Sequence, residues 1–302
     1  MSSSGLAVVQ GAGSELAGAC VWWELAGRVL VDDLAEELEA AGLDQGLLPR
    51  DQTPEVHLLR AAQEAARGRN MIVRPLSRGA WEVFEETVVA DDDEVGLQRA
   101  LHRSVAVGRV VARDGARTPV VRAREDRDQR FVDDVLALYA RGRGVMTASD
   151  VSTWLLSVAQ GRQVAAVSLR QRGGFYFLPR GPGLELWRAV YRTLAASSQC
   201  EVHELPVMHT EEAAAAVLAS LRREADEAFA EMDAYLAREQ QSVRGLNSLG
   251  RRLVDTRDKL ARYGELLQAD LSDLLDRVGL VEGATAAARV AIEAARDAEA
   301  AQ

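Results

Sequence analysis

The spacing of apolar and polar residues along the chain changes from period two to period 3.6 near residue 207. Four segments before this point have the composition of strands: Met71–Leu76, Ala80–Val89, Val105–Arg113 and Pro119–Ala123. Gly79 lies in the link between the first two segments, and Gly115 lies in the link between the last two. Hairpin turns often need the positive φ that glycine supplies, so the pattern predicts a four-stranded antiparallel meander over residues 71–123.

Helix signals dominate the rest of the first third. Asp32 or Asp33 can cap a helix that Gly42 ends, and Thr53, which precedes a proline, marks the start of a second helix. The adjacent residues Trp22 and Trp23 are interpreted as positions on two sides of a further helix. One of them is expected to pack inside the protein and the other at an interface.

Residues 126–208 predict the order α-α-β-β-α-β. The two helices begin at Asp126 or Asp128 and at Ser149, and the later elements are Val164–Leu169, Phe175–Leu178, Pro182–Ala196 and Glu201–Val207. We interpret this segment as a compact α+β module with a small mixed sheet.

Leucine recurs at every seventh position in the C-terminal third. Thr210 caps a long helix, and the next helix carries five leucines in one heptad register: Leu246, Leu253, Leu260, Leu267 and Leu274. Gly279 and Gly283 are predicted to end that helix. The register is typical of a coiled coil. A short link between long helices favours a hairpin within one chain, pairing between chains is the alternative, and both can coexist.

These patterns together predict an α+β fold in three regions. Residues 1–125 form N-terminal helices and the antiparallel β-meander, residues 126–208 form a basic α+β module, and residues 209–302 form a long helical hairpin or coiled coil.

Charge is distributed unevenly along the chain. The formal net charge is −10, made up of −11 over residues 1–98, +7 over residues 99–204 and −6 over residues 205–302. A basic segment between acidic ones can mark a site for a polyanion such as nucleic acid. It can equally mark docking of acidic on basic surfaces, within one chain or between chains.

Arginines concentrate in Gln160–Arg192, where Glu185 is the only acidic residue. They are the candidate nucleic-acid-binding residues: Arg162, Arg170, Arg172, Arg180, Arg188 and Arg192. Two helices followed by an arginine-bearing turn are comparable to a winged helix, in which the wing contacts phosphates. The helix that would enter the groove carries no basic residue, however, and the turn Arg170–Gly174 is predicted to be exposed.

The sequence contains no motif for a named chemistry. It has no glycine-rich nucleotide-binding loop, no HExxH and no GxSxG, and its single lysine, Lys259, lies in the predicted coiled coil. Cys200, His203 and His209 are close in sequence, but their spacing matches no common zinc site. No metal and no cofactor are therefore predicted, catalytic residues stay unassigned, and an enzyme is the less favoured class.

These observations predict a cytoplasmic, non-enzymatic assembly or adaptor protein. It is expected to self-associate or bind a protein partner through its C-terminal coiled coil. Two cysteines far apart in sequence fit a reducing compartment, and no apolar run is long enough to cross a membrane. The alternative is a nucleic-acid-binding protein that uses the basic central module.

Overall fold

The computed structural model describes residues 16–50, 52–77, 79–90, 98–113, 116–171, 173–238 and 241–300. The strands are β1 (Leu16–Glu24), β2 (Val29–Leu30), β3 (Met71–Ser77), β4 (Ala80–Ala90), β5 (Gln98–Arg113), β6 (Ala116–Ala123), β7 (Val145–Met146), β8 (Val167–Ser168), β9 (Tyr176–Pro179) and β10 (Glu201–Met208). The helices are α1 (Val31–Ala40), α2 (Pro54–Ala66), α3 (Gln129–Gly142), α4 (Ala148–Gln160), α5 (Pro182–Ser197), α6 (Glu211–Leu236), α7 (Val243–Leu267) and α8 (Ser272–Ala300). The α+β class is as predicted.

Contacts between residues divide the chain into two compact units. The first takes its described residues from Met1–Gly27, Glu37–Leu47 and Ala148–Gln302, and the second from Arg28–Glu36 and Leu48–Thr147. These boundaries differ from the predicted regions 1–125, 126–208 and 209–302. The difference arises because β1 belongs to the first unit with the C-terminal helices, whereas α3 belongs to the second unit with the meander.

The main sheet of the first unit has the strand order β10-β1-β9-β8. Every neighbouring pair in it is antiparallel, so the predicted mixed sheet is wrong. The reason is that β1, from the start of the chain, lies between β9 and β10 and runs opposite to both. The connection from β9 through α5 to β10 therefore passes over one strand.

Trp22 and Trp23 lie on strand β1 and not on a helix, which corrects the sequence interpretation. A central strand buried on both faces reads as a continuous apolar run, and periodicity alone does not distinguish such a run from a short buried helix. The ring of Trp22 stacks on His203, with centroids 5.1 Å apart, and the ring of Trp23 stacks on Tyr176 at 5.2 Å.

Helices cover both faces of this sheet. On one face, Trp23 Nε1 donates a hydrogen bond to Ser152 Oγ of α4 at 3.2 Å, and its ring lies 5.9 Å from Trp187 of α5. On the other face, Val167 and Phe177 join the apolar core that α6, α7 and α8 form. The sheet and the C-terminal helices therefore share one core.

The C-terminal region contains three helices. α6 begins after Thr210, whose hydroxyl accepts a hydrogen bond from the first turn, as predicted. α7 and α8 are separate helices because Gln268 adopts the left-handed conformation, with φ of 49°, and ends α7. The single heptad helix predicted through this point is therefore wrong. Gly279 and Gly283, which were its predicted end, lie inside α8.

The second unit contains the predicted meander, with strand order β3-β4-β5-β6 and antiparallel pairs throughout. Helices α2 and α3 pack on one face of it, with Leu58 and Phe131 in the shared core. A Cβ atom on Gly108 would lie 2.1 Å from the ring of Trp81, so glycine at this position makes room for the buried indole.

Candidate functional site in the C-terminal helices

The heptad leucines lie in the core of their own chain. Leu246, Leu253 and Leu260 of α7 are fully or almost fully buried, and Leu274 of α8 is buried as well. Leu267, at the end of α7, is half-buried against the same core. These positions are thus used to pack α7 and α8 on α6 and on the sheet.

Helix α8 has two apolar faces. Its inner stripe contacts the core and includes Leu274, Val278 and Val281. We define its outer stripe as the exposed residues that recur on the opposite side: Leu280, Gly283, Ala284, Ala287, Val290, Ala291 and Ala294. Leu280 is 75% exposed and Val290 is 63% exposed. From Leu280 to Ala294 the stripe contains no charged residue, which is unusual for the solvent side of a helix. Asp276, which is exposed one turn before Leu280, lies on the same face.

Two of the predicted nucleic-acid-binding arginines are neutralised by carboxylates. Arg188 is held by Glu204 through two of its nitrogens and by Glu185 at 2.7 Å, and the paired Glu204 raises the pKa of its guanidinium. Arg162 pairs with Asp258 at 2.5 Å. Neither charge is free to neutralise a phosphate without breaking an existing ion pair.

The remaining described arginines of this set are exposed but spread out. Arg170 lies in the turn before β9 and Arg180 lies directly after β9, so the length of the strand separates them. Arg192 is exposed on α5. Arg172 lies outside the described residues. The exposure predicted for the turn is confirmed at Arg170, and its two glycines adopt positive φ.

The cysteine and histidines that are close in sequence have separate surroundings in the structure. Cys200 is buried, with Sγ 3.6 Å from the carbonyl oxygen of Ala26. His203 stacks on Trp22, and His209 Nε2 lies 3.4 Å from the carbonyl oxygen of Leu266. Each side chain therefore has its own structural contact.

Lys259 lies at the base of a polar groove that sequence reasoning did not find. Its Nζ donates to the carbonyl oxygen of Ala166 at 2.6 Å and to Glu224 Oε1 at 2.5 Å. Its side chain is only 13% exposed. Removal from water disfavours the ammonium form, so the pKa of Lys259 lies below its ordinary value despite the nearby carboxylate.

The groove, which we call the Lys259 groove, has a volume of about 540 Å³ and runs between α6 and α7 above residues 160–165. Its walls carry charges of both signs. Arg252 pairs with Glu231 at 2.8 Å, and Arg262 donates to the carbonyl oxygen of Gln163 at 3.1 Å. Glu224 Oε2 is buried and accepts no hydrogen bond from the described residues.

The backbone beneath the groove is held by side chains of α6 and α7. Carbonyl oxygens from Gln163 to Ser168 accept hydrogen bonds from Arg262, Tyr263, Lys259 and Arg223. Within this segment Ala165 adopts a positive φ of 56°, which is uncommon for a residue with a Cβ atom. Such strain persists only where the surroundings fix the backbone, and it is most frequent at functional sites.

Tyr263 completes the buried layer under the groove. It is fully buried, and its hydroxyl donates to the carbonyl oxygen of Ala165 at 3.0 Å. Burial raises the pKa of this hydroxyl well above its ordinary value, so it stays a neutral donor. The groove therefore combines a desolvated amine, three guanidinium groups and five carboxylates on a rigid base. One of these carboxylates, Glu224, has an oxygen without a hydrogen bond from the described residues.

The one sequence signal for this site is the single lysine in a chain whose other 35 basic residues are arginines. The sequence alone does not indicate that Lys259 is buried or which residues it contacts. Residue 166, Glu224 and Lys259 are far apart in sequence, so only the packing of the helices on the loop after α4 brings them together.

The fold and the groove define an α+β protein in which a three-helix C-terminal core packs on an antiparallel sheet. The chain belongs to a family of unknown function (DUF6744), whose family model matches residues 16–296. No curated protein and no solved structure matches it. Among the described residues, none of the helices has both the length and the hydropathy to cross a membrane.

Proposed function

We propose that the protein is a cytoplasmic, non-enzymatic assembly protein that self-associates through the outer stripe of α8. The single observation that carries this proposal is the exposure of Leu280 and Val290 on a face of α8 that has no charged residue between positions 280 and 294. Exposed apolar surface of this kind is typical of interaction sites.

Because of the way the C-terminal helices pack, we expect the interface on the outer stripe of α8 and not on the leucines of α7. The heptad leucines of α7 are already buried in the chain's own core, so they are not available to a second chain unless this core opens. The outer stripe keeps the near-heptad recurrence that helix pairing needs, since Leu280, Ala287 and Ala294 follow one another at intervals of seven. Its small residues allow two backbones to approach closely.

A second copy of this chain is the partner that fits this surface best. An isologous contact uses the same patch on both subunits, so a helix face free of charge is complementary to itself. Between positions 280 and 294, repulsion between like charges does not oppose such a contact, because Glu282, Arg289 and Glu293 lie away from the stripe. Asp276, one turn before Leu280, marks the end of the uncharged part of this face.

Two further observations support the other parts of the proposal. Cys20 and Cys200 are both buried free thiols, which suits a reducing compartment such as the cytoplasm. The ion pairs of Arg162 and Arg188 reduce the charge available to nucleic acid, so the geometry favours assembly over the nucleic-acid alternative.

Light scattering coupled to size exclusion tests the proposal. We expect the full chain to form dimers or larger assemblies at micromolar concentration, and the double variant Leu280→Glu, Val290→Glu to be monomeric. Buried charges at the centre of an apolar contact are strongly unfavourable, whereas both positions are exposed in the monomer, so circular dichroism should not change.

The matched control is Leu76→Glu, which replaces an apolar side chain of the second unit that is 56% exposed. It should leave the mass unchanged. A wild-type chain that stays monomeric across this range contradicts the proposal, and so does a control that dissociates as readily as the α8 variant.

A further inference from the structure

Lys259 is the only lysine in the sequence. Every other basic residue is arginine, including those that reach backbone carbonyls from the same helices, such as Arg223 and Arg262. An arginine is a permanent cation that cannot act as a nucleophile, whereas lysine provides a primary amine. Lys259 is therefore the only side chain of the sequence that provides a primary amine.

The surroundings of Lys259 suit such chemistry. Its Nζ lies next to Glu224 Oε1, so a proton acceptor is within hydrogen-bond distance of the amine. The side chain lines a groove of about 540 Å³, which is large enough for a small ligand. Burial favours the neutral amine, and the backbone below it is fixed by several hydrogen bonds.

We propose that the Lys259 groove binds a small anionic carbonyl compound, such as a 2-oxo acid, which Lys259 captures as an imine. This site is distinct from the outer stripe of α8 and does not depend on self-association.

The reaction is a condensation that balances without any further reactant. The ammonium passes a proton to Glu224, and the neutral Nζ attacks the carbonyl carbon to form a carbinolamine. Glu224 then returns the proton to the hydroxyl group, which leaves as water while the C=N bond forms. No electrons enter or leave, and addition of water reverses the reaction.

Arginines account for the negative charge that the ligand carries. Arg162 and Arg252 line the groove and are about half exposed or more, so each can exchange its present partner, Asp258 or Glu231, for a carboxylate inside the groove. A planar guanidinium binds carboxylate oxygens in a fork, which would orient the carbonyl group toward the base of the groove. A neutral aldehyde lacks this contact and should be captured less well.

Reductive trapping with mapping by mass spectrometry tests the proposal on the unmodified wild-type chain. The purified protein is incubated at pH 7 with glyoxylate and cyanoborohydride, which converts an imine to a stable carboxymethyl amine. The chain has only two primary amines, Lys259 and the α-amino group, so the α-amino group is an internal standard. The same reaction in guanidinium chloride gives the ratio for the unfolded chain.

We expect folding to increase labelling of Lys259 relative to the α-amino group. In the unfolded chain an ordinary lysine should be labelled about 10²-fold less than the α-amino group at pH 7, because of its higher pKa. In the folded chain the two should be labelled to a similar extent. With acetaldehyde in place of glyoxylate, this gain on folding should be smaller.

A ratio that falls or stays constant on folding overturns the proposal, since it would mean that the amine only forms a structural ion pair. The variant Arg252→Met gives a second measurement in the folded protein. It should lower labelling of Lys259 by glyoxylate and leave labelling by acetaldehyde unchanged. Equal loss with both reagents would contradict the assigned role of the arginine.

Discussion

At the scale of single residues, ion pairs of Arg103 link the meander to the residue that directly precedes α3. Arg103 of β5 donates to both carboxylate oxygens of Asp128, at 2.7 and 2.9 Å, and also to Glu85 at 2.8 Å. Asp128 is buried and lies directly before α3. The hydrogen bonds from Arg103 hold the pKa of Asp128 below its usual range.

This geometry predicts the effect of Asp128→Asn and its dependence on pH. The carboxylate form stabilises the folded state, so its contribution is present above the ordinary aspartate pKa and is lost as pH falls through the lower, folded-state pKa. We expect the variant to lose about 1.5–3 kcal/mol at pH 7, the range for a hydrogen bond to a charged group. Urea unfolding at pH 7 and at lower pH measures the difference in unfolding free energy between the wild type and the variant. This difference should shrink as the pH falls.

The control for this prediction is Asp133→Asn, an exposed carboxylate of α3 that accepts a hydrogen bond only from Gln129 among the described residues. It should change the unfolding midpoint little. A constant deficit for Asp128→Asn at every pH would show that its charge is not the cause.

At the scale of elements, the arrangement of α7 and α8 depends on their buried leucines and on the break between the two helices at Gln268. The left-handed Gln268 divides the leucine register between α7 and α8, so the two helices pack on each other instead of forming one rod. Leu253 and Leu260 lie in the middle of α7 and are fully buried.

Truncation of these two side chains should destabilise the first unit strongly. Leu253→Ala and Leu260→Ala should each cost about 2–5 kcal/mol, the range for buried leucines in packed cores. The control is Val254→Ala on the same helix, which is 41% exposed and should cost much less. Urea midpoints measure all three variants. Equal midpoints for Leu253→Ala and Val254→Ala would mean that the leucine seam is not buried.

At the scale of the whole molecule, ion pairs within each unit neutralise part of the charge of the basic segment 99–204. Arginines of the basic middle segment pair with carboxylates of the acidic segments on either side: Arg103–Glu85, Arg117–Glu55, Arg124–Glu82 and Arg162–Asp258. Of the two interpretations that the sequence left open, docking of acidic on basic surfaces thus has direct support among the described residues.

The shared core also predicts how the molecule responds to truncation. A chain that ends at Pro206 loses α6, α7 and α8, which would expose Phe177 and Val167 of the sheet. We expect this chain to lose near-ultraviolet circular dichroism from the aromatic residues of the first unit. A chain that ends at Ala294 keeps the inner stripe of α8 and should unfold as the full chain does. If the chain that ends at Pro206 kept the native near-ultraviolet circular dichroism, the sheet and the C-terminal helices would not share one core.

The sequence by itself determined the elements whose signals are local. The positive φ of Gly79 before β4, the cap at Thr210 and the helix end at Gly42 depend on residues within a few positions of each other, and the structure contains them. Alternation along β4 likewise placed Trp81 and Val83 on one face, and both are buried.

Tertiary structure alone decided the features that join distant segments. The sequence favours a helix where strand β1 forms, because an apolar run fits either element until its partners β9 and β10 are known. The leucine register continued in the sequence past Gln268, where the backbone does not continue as a helix. The Lys259 groove exists only where α6, α7 and the loop after α4 meet. Burial and charge pairing of this kind are properties of packing, so no local pattern encodes them.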